Sequence, residues 1–154
     1  MRDLPSRPAE ILLVEDDMGC CTLMQRCLSD TAANHRVSCV SDGVEALQFL
    51  KHQGSYGLAP RPDLVFLDLN MPRKNGWEVL AELKADPNLR RIPVIVMTSS
   101  SDQNDVNSIY DLHANCYLRK ASDLDELCQQ IRIIEEFWFG IVLRPNAMPV
   151  RAGR

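Results

Sequence analysis

Asp68 ends a short apolar run, Leu64-Val65-Phe66-Leu67, and is followed by Asn70, Met71-Pro72 and a polar turn, Arg73-Lys74-Asn75-Gly76. A core strand that carries one carboxylate to its tip and then turns abruptly presents that group for chemistry. Three other runs end in the same manner. Ile11-Leu12-Leu13-Val14 leads into Glu15, Asp16 and Asp17; Pro93 to Met97 leads into Thr98, Ser99 and Ser100; Cys116 to Arg119 leads into Lys120. Three or four acids brought together repel one another and push some pKa values up. A hard divalent cation removes the conflict. Mg²⁺ takes about six oxygens at ~2.0–2.1 Å, often one or two carboxylates with waters and a phosphate. No thiolate or imidazole set accompanies the acids, which disfavours zinc. The Thr98 hydroxyl and Lys120 ammonium have the opposite character and can hold phosphoryl oxygens. The parts suit phosphoryl transfer to a carboxylate, with Asp68 as nucleophile and the metal and Lys120 stabilising charge. The turn Glu15-Asp16-Asp17-Met18-Gly19 lacks the glycines with which nucleotide-binding loops reach phosphate, and it repels phosphate unless a metal intervenes.

The elements that must position these groups alternate between strand and helix. Glu10 to Val14, Leu64 to Leu67 and Pro93 to Met97 are continuous apolar runs, as expected of strands buried on both faces of a parallel sheet. Val37 and Cys39 alternate with polar neighbours, which suits an edge strand, and Cys116 to Arg119 is a short fifth strand. Helical spacing links Cys20, Leu23, Met24, Cys27 and Leu28. A second helix opens at Asp42-Gly43 and runs through Val44, Leu47 and Leu50. A third spans Trp77 to Asp86, and a fourth holds Val106, Ile109, Tyr110 and His113. Asp123 is placed to cap a long final helix, with Glu126 three residues on. Five strand–helix repeats predict an α/β, flavodoxin-like (βα)5 fold with strand order 2-1-3-4-5 and helices on both faces. Ligands of such sheets bind beyond the carboxyl ends of the strands, where all four polar tips converge. The expected organisation is a flexible N-terminus over residues 1–8, one domain over 9–142 and an irregular tail over 143–154.

Composition narrows the function classes. The chain has 154 residues and a formal net charge of −4, which does not favour non-specific nucleic-acid binding. No apolar run reaches the ~20 residues of a membrane span. The first residues lack a signal-peptide core, so a cytoplasmic location is expected. The six cysteines form no Cys-x-x-Cys pair and are expected to be reduced thiols packed as small hydrophobes. His35, His52 and His113 show no cluster spacing and are expected on the surface or in loops.

Taken singly, Glu15-Asp16-Asp17 could merely begin a helix, and Thr98, Lys120 or Asp68 alone would be unremarkable. Four correctly ordered strand tips are a different matter. ILLVEDD, LVFLDLNMP with the following Asn75-Gly76, VIVMTSS and CYLRK together resemble the receiver domain of two-component response regulators, from Glu10 to about Trp138. DLHANCYLRK, the RPDLVFLDLNMP lead-in and the IEEFW ending are similar to the single-domain regulators paired with phytochrome-type histidine kinases. The resemblance implies that Asp68 is the phospho-acceptor, Asp16 a direct Mg²⁺ ligand, and Glu15 a ligand through water. It implies a metal contact from the Asn70 backbone carbonyl. Thr98 would sense the phosphoryl group, Lys120 would ion-pair with it, and Tyr117 would be the aromatic switch partner of Thr98. Most receivers carry proline after the lysine, usually with a cis peptide; here Ala121 follows Lys120. A cis bond to a residue other than proline costs about 2.5–4 kcal/mol, so a trans bond is expected, with the ammonium still reaching the site.

With only a short tail after the last helix, the output is expected through protein contact or onward phosphate transfer rather than DNA binding. On the final helix Leu124, Leu127, Cys128, Ile131 and Trp138 make one apolar face. Ile133, Phe137 and Ile141, joined by Phe139 and Val142, make a second. A second apolar face needs a cover, and a homodimer through the fifth helix, fifth strand and tail is expected. The competing explanation is that the tail folds back over its own helix. The chain is expected to catalyse only its own phosphorylation and aspartyl-phosphate hydrolysis. Two rival functions are a haloacid-dehalogenase-like phosphohydrolase and a receiver that binds partners without phosphorylation. The first would need an acid at position 70, where Asn70 cannot act as a general acid.

Overall fold

The computed structural model describes residues 8–30 and 34–145. Five strands, β1 (Glu10–Val14), β2 (Arg36–Val40), β3 (Leu64–Leu67), β4 (Val94–Thr98) and β5 (Cys116–Arg119), form one parallel sheet in the order β2-β1-β3-β4-β5. The helices are α1 (Met18–Ser29), α2 (Gly43–Lys51), α3 (Gly76–Ala85), α4 (Gln103–Asp111) and α5 (Leu124–Glu136), the last prolonged by a π-turn at Phe137–Ile141. This is the flavodoxin-like fold and strand order expected from the sequence.

Alternate residues of the same strands feed two cores. Leu12, Val14, Val65, Leu67, Val94 and Val96 pack under α2, α3 and α4. Ile11, Leu13, Leu64, Phe66, Ile95 and Met97 pack under α1 and α5. The central strands are therefore apolar on both faces apart from Glu10 at the start of β1 and Thr98 at the end of β4, while edge strand β2 tolerates Arg36 and Ser38. Asp or Asn caps all five helices: Asp17, Asp42, Asn75, Asp102 and Asp123 each accept a backbone N–H from the first turn. Because the helices start at the carboxyl edge of the sheet, these caps crowd the same rim as the strand tips.

Several expectations need correction. β4 runs from Val94 to Thr98 rather than from Pro93. Proline has no N–H for the ladder, and Pro93 contributes only its carbonyl, to Val65 N–H. α4 ends at Asp111, and His113 lies beyond it with φ +70°. His35 is buried. Its Nδ1 accepts the Ala9 N–H at 3.0 Å, its Nε2 lies 2.9 Å from Glu135 Oε1, and its ring packs on Phe139. On the last helix Leu124 is exposed and Ile134 takes its place in the core. Phe139 turns inward beside Trp138, because the π-turn, closed by Val142 N–H to Phe137 O, lags the α-helical register.

The cysteines also depart from expectation. Cys21 is bonded to Cys39, and Cys27 to Cys128, so α1 is tied to β2 and to α5; Cys20 and Cys116 are free thiols. The partners lie 18 and 101 residues apart in sequence, a relation that no local spacing reveals. Beyond Val142 the described tail, through Pro145, has no regular structure. Arg144 lies 4.9 Å over the Phe139 ring and 3.7 Å from Asp63. Residues 1–7 and 146–154, where most of the flexible N-terminus and irregular tail were expected, lie outside the described residues.

Candidate functional site

The backbone ladder continues past each strand end and so fixes the functional residues. Glu15 N–H donates to Val40 O at 3.0 Å, Asp68 N–H to Val14 O at 3.0 Å, and Lys120 N–H to Thr98 O at 2.8 Å. Glu15, Asp16 and Asp68 thereby bring one carboxylate oxygen each within 4.8 Å of one another. Glu15 is buried, Asp68 half-buried and Asp16 exposed, giving a pocket with one open side. Lys120 reaches in from β5, with Nζ 2.5 Å from Glu15 Oε2 and 3.8 Å from Asp68 Oδ2. Among the described residues there is no cis peptide bond, so Lys120–Ala121 is trans and the ammonium still enters the site.

The electrostatics follow from this crowding. Burial raises the Glu15 carboxyl above its ordinary value; the Lys120 hydrogen bond opposes that shift, and the Asp68 charge reinforces it. Burial works against the Lys120 ammonium, but its hydrogen bond and attraction to Glu15 outweigh burial and raise its pKa. The donor set is all oxygen and carries several negative charges in a partly dry pocket, which fits a hard divalent cation of the Mg²⁺ or Mn²⁺ type. Asp17 takes no part in the cluster; it caps α1 by accepting the Cys20 N–H.

The remaining expected residues sit around the pocket. Asn70 N–H lies 3.3 Å from Asp68 Oδ1. Thr98 is fully buried, and its Oγ1 has no hydrogen-bond partner. Tyr117 is half-buried, and its hydroxyl donates to Ser100 O at 2.8 Å, on the loop that follows Thr98. Gly76 is required where it stands: a Cβ there would lie 2.4 Å from Asp68 O, so the loop from Leu69 to Asn75 closes directly onto the strand tip. Asp42 and Arg73 were not picked out as site residues from sequence. Asp42-Gly43 was legible only as a helix start, yet Asp42 grips Arg73 in the loop beside Asp68.

The response regulator receiver domain profile matches residues 11–132. This chain belongs to the response regulator receiver family. The receiver is 45% identical over 147 residues to the response regulator Rcp1 of Synechocystis sp., covering 96% of this chain and all of that protein. It is 37% identical over 134 residues to the probable methanogenesis regulatory protein FilR2 of Methanothrix harundinacea, covering 86% of this chain and 85% of FilR2. Among solved structures it resembles the phosphorylated cyanobacterial phytochrome response regulator RcpA, with a TM-score of 0.88, 45% identity, and coverage of 90% of this chain and 99% of that one. It also resembles the Mn²⁺-bound form of Rcp1, with a TM-score of 0.86, 45% identity, and coverage of 90% and 100%. No helix among the described residues is long and apolar enough to cross a membrane.

Proposed function

We propose that this receiver accepts a phosphoryl group on Asp68 from a sensor histidine kinase of the phytochrome type, in a Mg²⁺-dependent reaction. The observation that carries the reading is the Asp68 carboxylate held between Glu15, Asp16 and the Lys120 ammonium. The likeness to Rcp1 and RcpA supports the phytochrome pairing. Mg²⁺ would be held by Asp16 and Asp68 directly, by Glu15 through water and by the Asn70 carbonyl, and would neutralise charge on the transferring group. An Asp68 oxygen attacks phosphorus on the donor's phosphohistidine. The new P–O bond forms as the P–N bond breaks, and the electron pair returns to the imidazole nitrogen. Lys120 shifts from Glu15 toward the phosphoryl oxygens, and Thr98 supplies its unpartnered hydroxyl. As Thr98 moves, Tyr117 can leave Ser100 O and follow it inward. The result biases a two-state surface at α4 and β5.

Incubation with acetyl phosphate and Mg²⁺, followed by phosphate-affinity electrophoresis, tests this reading. One shifted band is expected for the native chain and none for Asp68→Asn or in the presence of a chelator. Turnover of free phosphomonoesters would instead favour the phosphohydrolase, against which Asn70 argues. Binding to a partner with no phosphorylation from any donor would favour the phosphorylation-independent receiver. In the proposed reading the only chemistry is self-phosphorylation and aspartyl-phosphate hydrolysis, within a domain of residues 9–142.

Output runs through protein contact or phosphorelay in the cytoplasm. Ile133, Phe137 and Ile141 form an exposed apolar stripe, and the tail as far as Arg144 runs to Phe139 and Asp63 rather than onto Ile133. Both observations support a homodimer through α5, β5 and the tail. Sedimentation at micromolar concentration tests it, and a strict monomer with and without phosphorylation overturns it. A reducing cytoplasm would open the Cys21–Cys39 and Cys27–Cys128 bridges to adjacent thiols that close again on oxidation.

A further inference from the structure

Two residues outside the metal and phosphoryl set control the loop that carries Asn70. Pro72 O accepts the Lys74 N–H at 2.8 Å, an i to i+2 bond, and the residue between them, Arg73, has φ +63°. That is a γ-turn of the strained hand, which a side-chain-bearing residue adopts only when its surroundings impose it. Asp42 supplies the constraint. Its Oδ2 accepts from Arg73 Nε at 3.0 Å and Nη2 at 2.6 Å, while its Oδ1 caps α2 through Glu45 N–H at 2.9 Å. The neighbouring Gly43 makes room: a Cβ there would lie 2.1 Å from Lys74 O. The loop is thus clamped between the start of α2 and, at Gly76, the tip of β3.

We infer that Asp42 and Arg73 are positioning residues for the cation site, holding the loop so that Asn70 and Asp68 present their oxygens together. This inference rests on the metal-dependent receiver reading above. Arg73 touches neither the cation nor the phosphoryl group in it, and acts only through the turn it occupies. A loop released from Asp42 relaxes out of the γ-turn, and the metal must then reorder it on binding. Losses of metal affinity from such supporting contacts are typically about 10–100-fold.

The test compares the native chain with Arg73→Ala, Arg73→Lys and Asp68→Asn. Calorimetric titration with Mg²⁺ alone is expected to give about tenfold weaker binding for Arg73→Ala and partial recovery for Arg73→Lys, which keeps the charge. Without metal, amide exchange over residues 69–75 is expected to accelerate in Arg73→Ala while the β-strand amides stay protected, so global unfolding is read separately. Phosphorylation from acetyl phosphate should require more Mg²⁺ for half-maximal rate yet approach the native rate at saturation. A native chain that neither binds Mg²⁺ nor takes up phosphate sinks the receiver reading itself. A native chain that does both, with Arg73→Ala binding Mg²⁺ equally well or its strand amides equally deprotected, overturns the positioning role alone.

Discussion

Lys120 Nζ stands 2.5 Å from Glu15 Oε2 and thereby joins the end of edge strand β5 to the end of β1, across 105 residues of sequence. The pair does more than hold two strands. It supplies the positive charge that lets three carboxylates share the rim, and it keeps the ammonium within 3.8 Å of Asp68. Replacing Lys120 by Ala leaves the Glu15, Asp16 and Asp68 carboxylates uncompensated. Phosphorylation from acetyl phosphate at saturating Mg²⁺ is expected to fall by about 10²-fold or more, as when a charge-stabilising donor is removed from a phosphoryl or oxyanion site. Mg²⁺ is expected to raise the melting temperature of the variant more than that of the native chain, because it relieves the larger repulsion. Equal rates, measured by phosphate-affinity electrophoresis, would remove Lys120 from the chemistry.

Thr98 gives a prediction of opposite sign for stability. Its Oγ1 is buried and unpartnered, and leaving a buried hydroxyl unsatisfied costs about 1–3 kcal/mol. Thr98→Val keeps the shape and removes the orphan, so the unphosphorylated chain is expected to become more stable by about 1 kcal/mol in urea unfolding. The same variant lacks the donor that the proposed function assigns to a phosphoryl oxygen. Chemical-shift changes at Tyr117 on phosphorylation are therefore expected to shrink, even though Asp68 still accepts phosphate. A less stable Thr98→Val would show that the hydroxyl is satisfied in solution.

Asp42 sets part of the acid response. Burial tends to raise its carboxyl, but the Glu45 amide and the Arg73 guanidinium outweigh burial and hold it below the ordinary value. A carboxyl with a lowered folded-state pKa stabilises the fold fully above its unfolded value of about 3.9, and that contribution is lost as pH falls through the lower folded value. Asp42→Asn keeps a side-chain oxygen for the cap but has no charge to titrate. The stability gap between native chain and variant is expected to be constant near neutrality and to close below about pH 4. Urea midpoints across that range measure it, and a gap that persists unchanged to low pH contradicts the assignment.

Much of this site is legible in the sequence because continuous apolar runs end in unlike polar groups. β1, β3 and β5 begin and end where those runs do, and Glu15, Asp68 and Lys120 follow their last residues, while Thr98 closes β4. What remains hidden involves one residue type doing two jobs. Asp16 and Asp17 are neighbours of the same chemistry, yet one joins the carboxylate cluster and the other caps α1. Only the backbone direction after β1 separates them. His35 gives no periodic signal, since its partners Ala9, Glu135 and Phe139 come from distant segments. The inward turn of Phe139 depends on a π-turn that a 3.6-residue period cannot anticipate. Arg73 carries no glycine or asparagine to announce a positive φ; its conformation is imposed by Asp42.

The cysteine pairs are equally invisible to spacing and lead to the last expectation. After equilibration with a mixture of reduced and oxidised glutathione, one thiolate of each pair displaces a reduced glutathione to form a mixed disulfide and its partner displaces the second. This gives Cys21–Cys39 and Cys27–Cys128, with one oxidised glutathione consumed and two reduced released per bridge, while the reduced form frees lone thiols. Alkylation of the denatured chain should then label only Cys20 and Cys116, and labelling after reduction should reach all six cysteines. Under native conditions Cys116 should react slowly, because burial pushes its thiol up to about 11. The bridge from α1 to α5 closes the longer loop, and each bridge is expected to add about 2–4 kcal/mol by restricting the unfolded chain. Reductant should therefore lower the urea midpoint of the equilibrated protein, and Cys27→Ala should remove part of that sensitivity. Six labelled cysteines without reductant, or a midpoint that ignores reductant, would mean that the four sulfurs pack as neighbours and never bond.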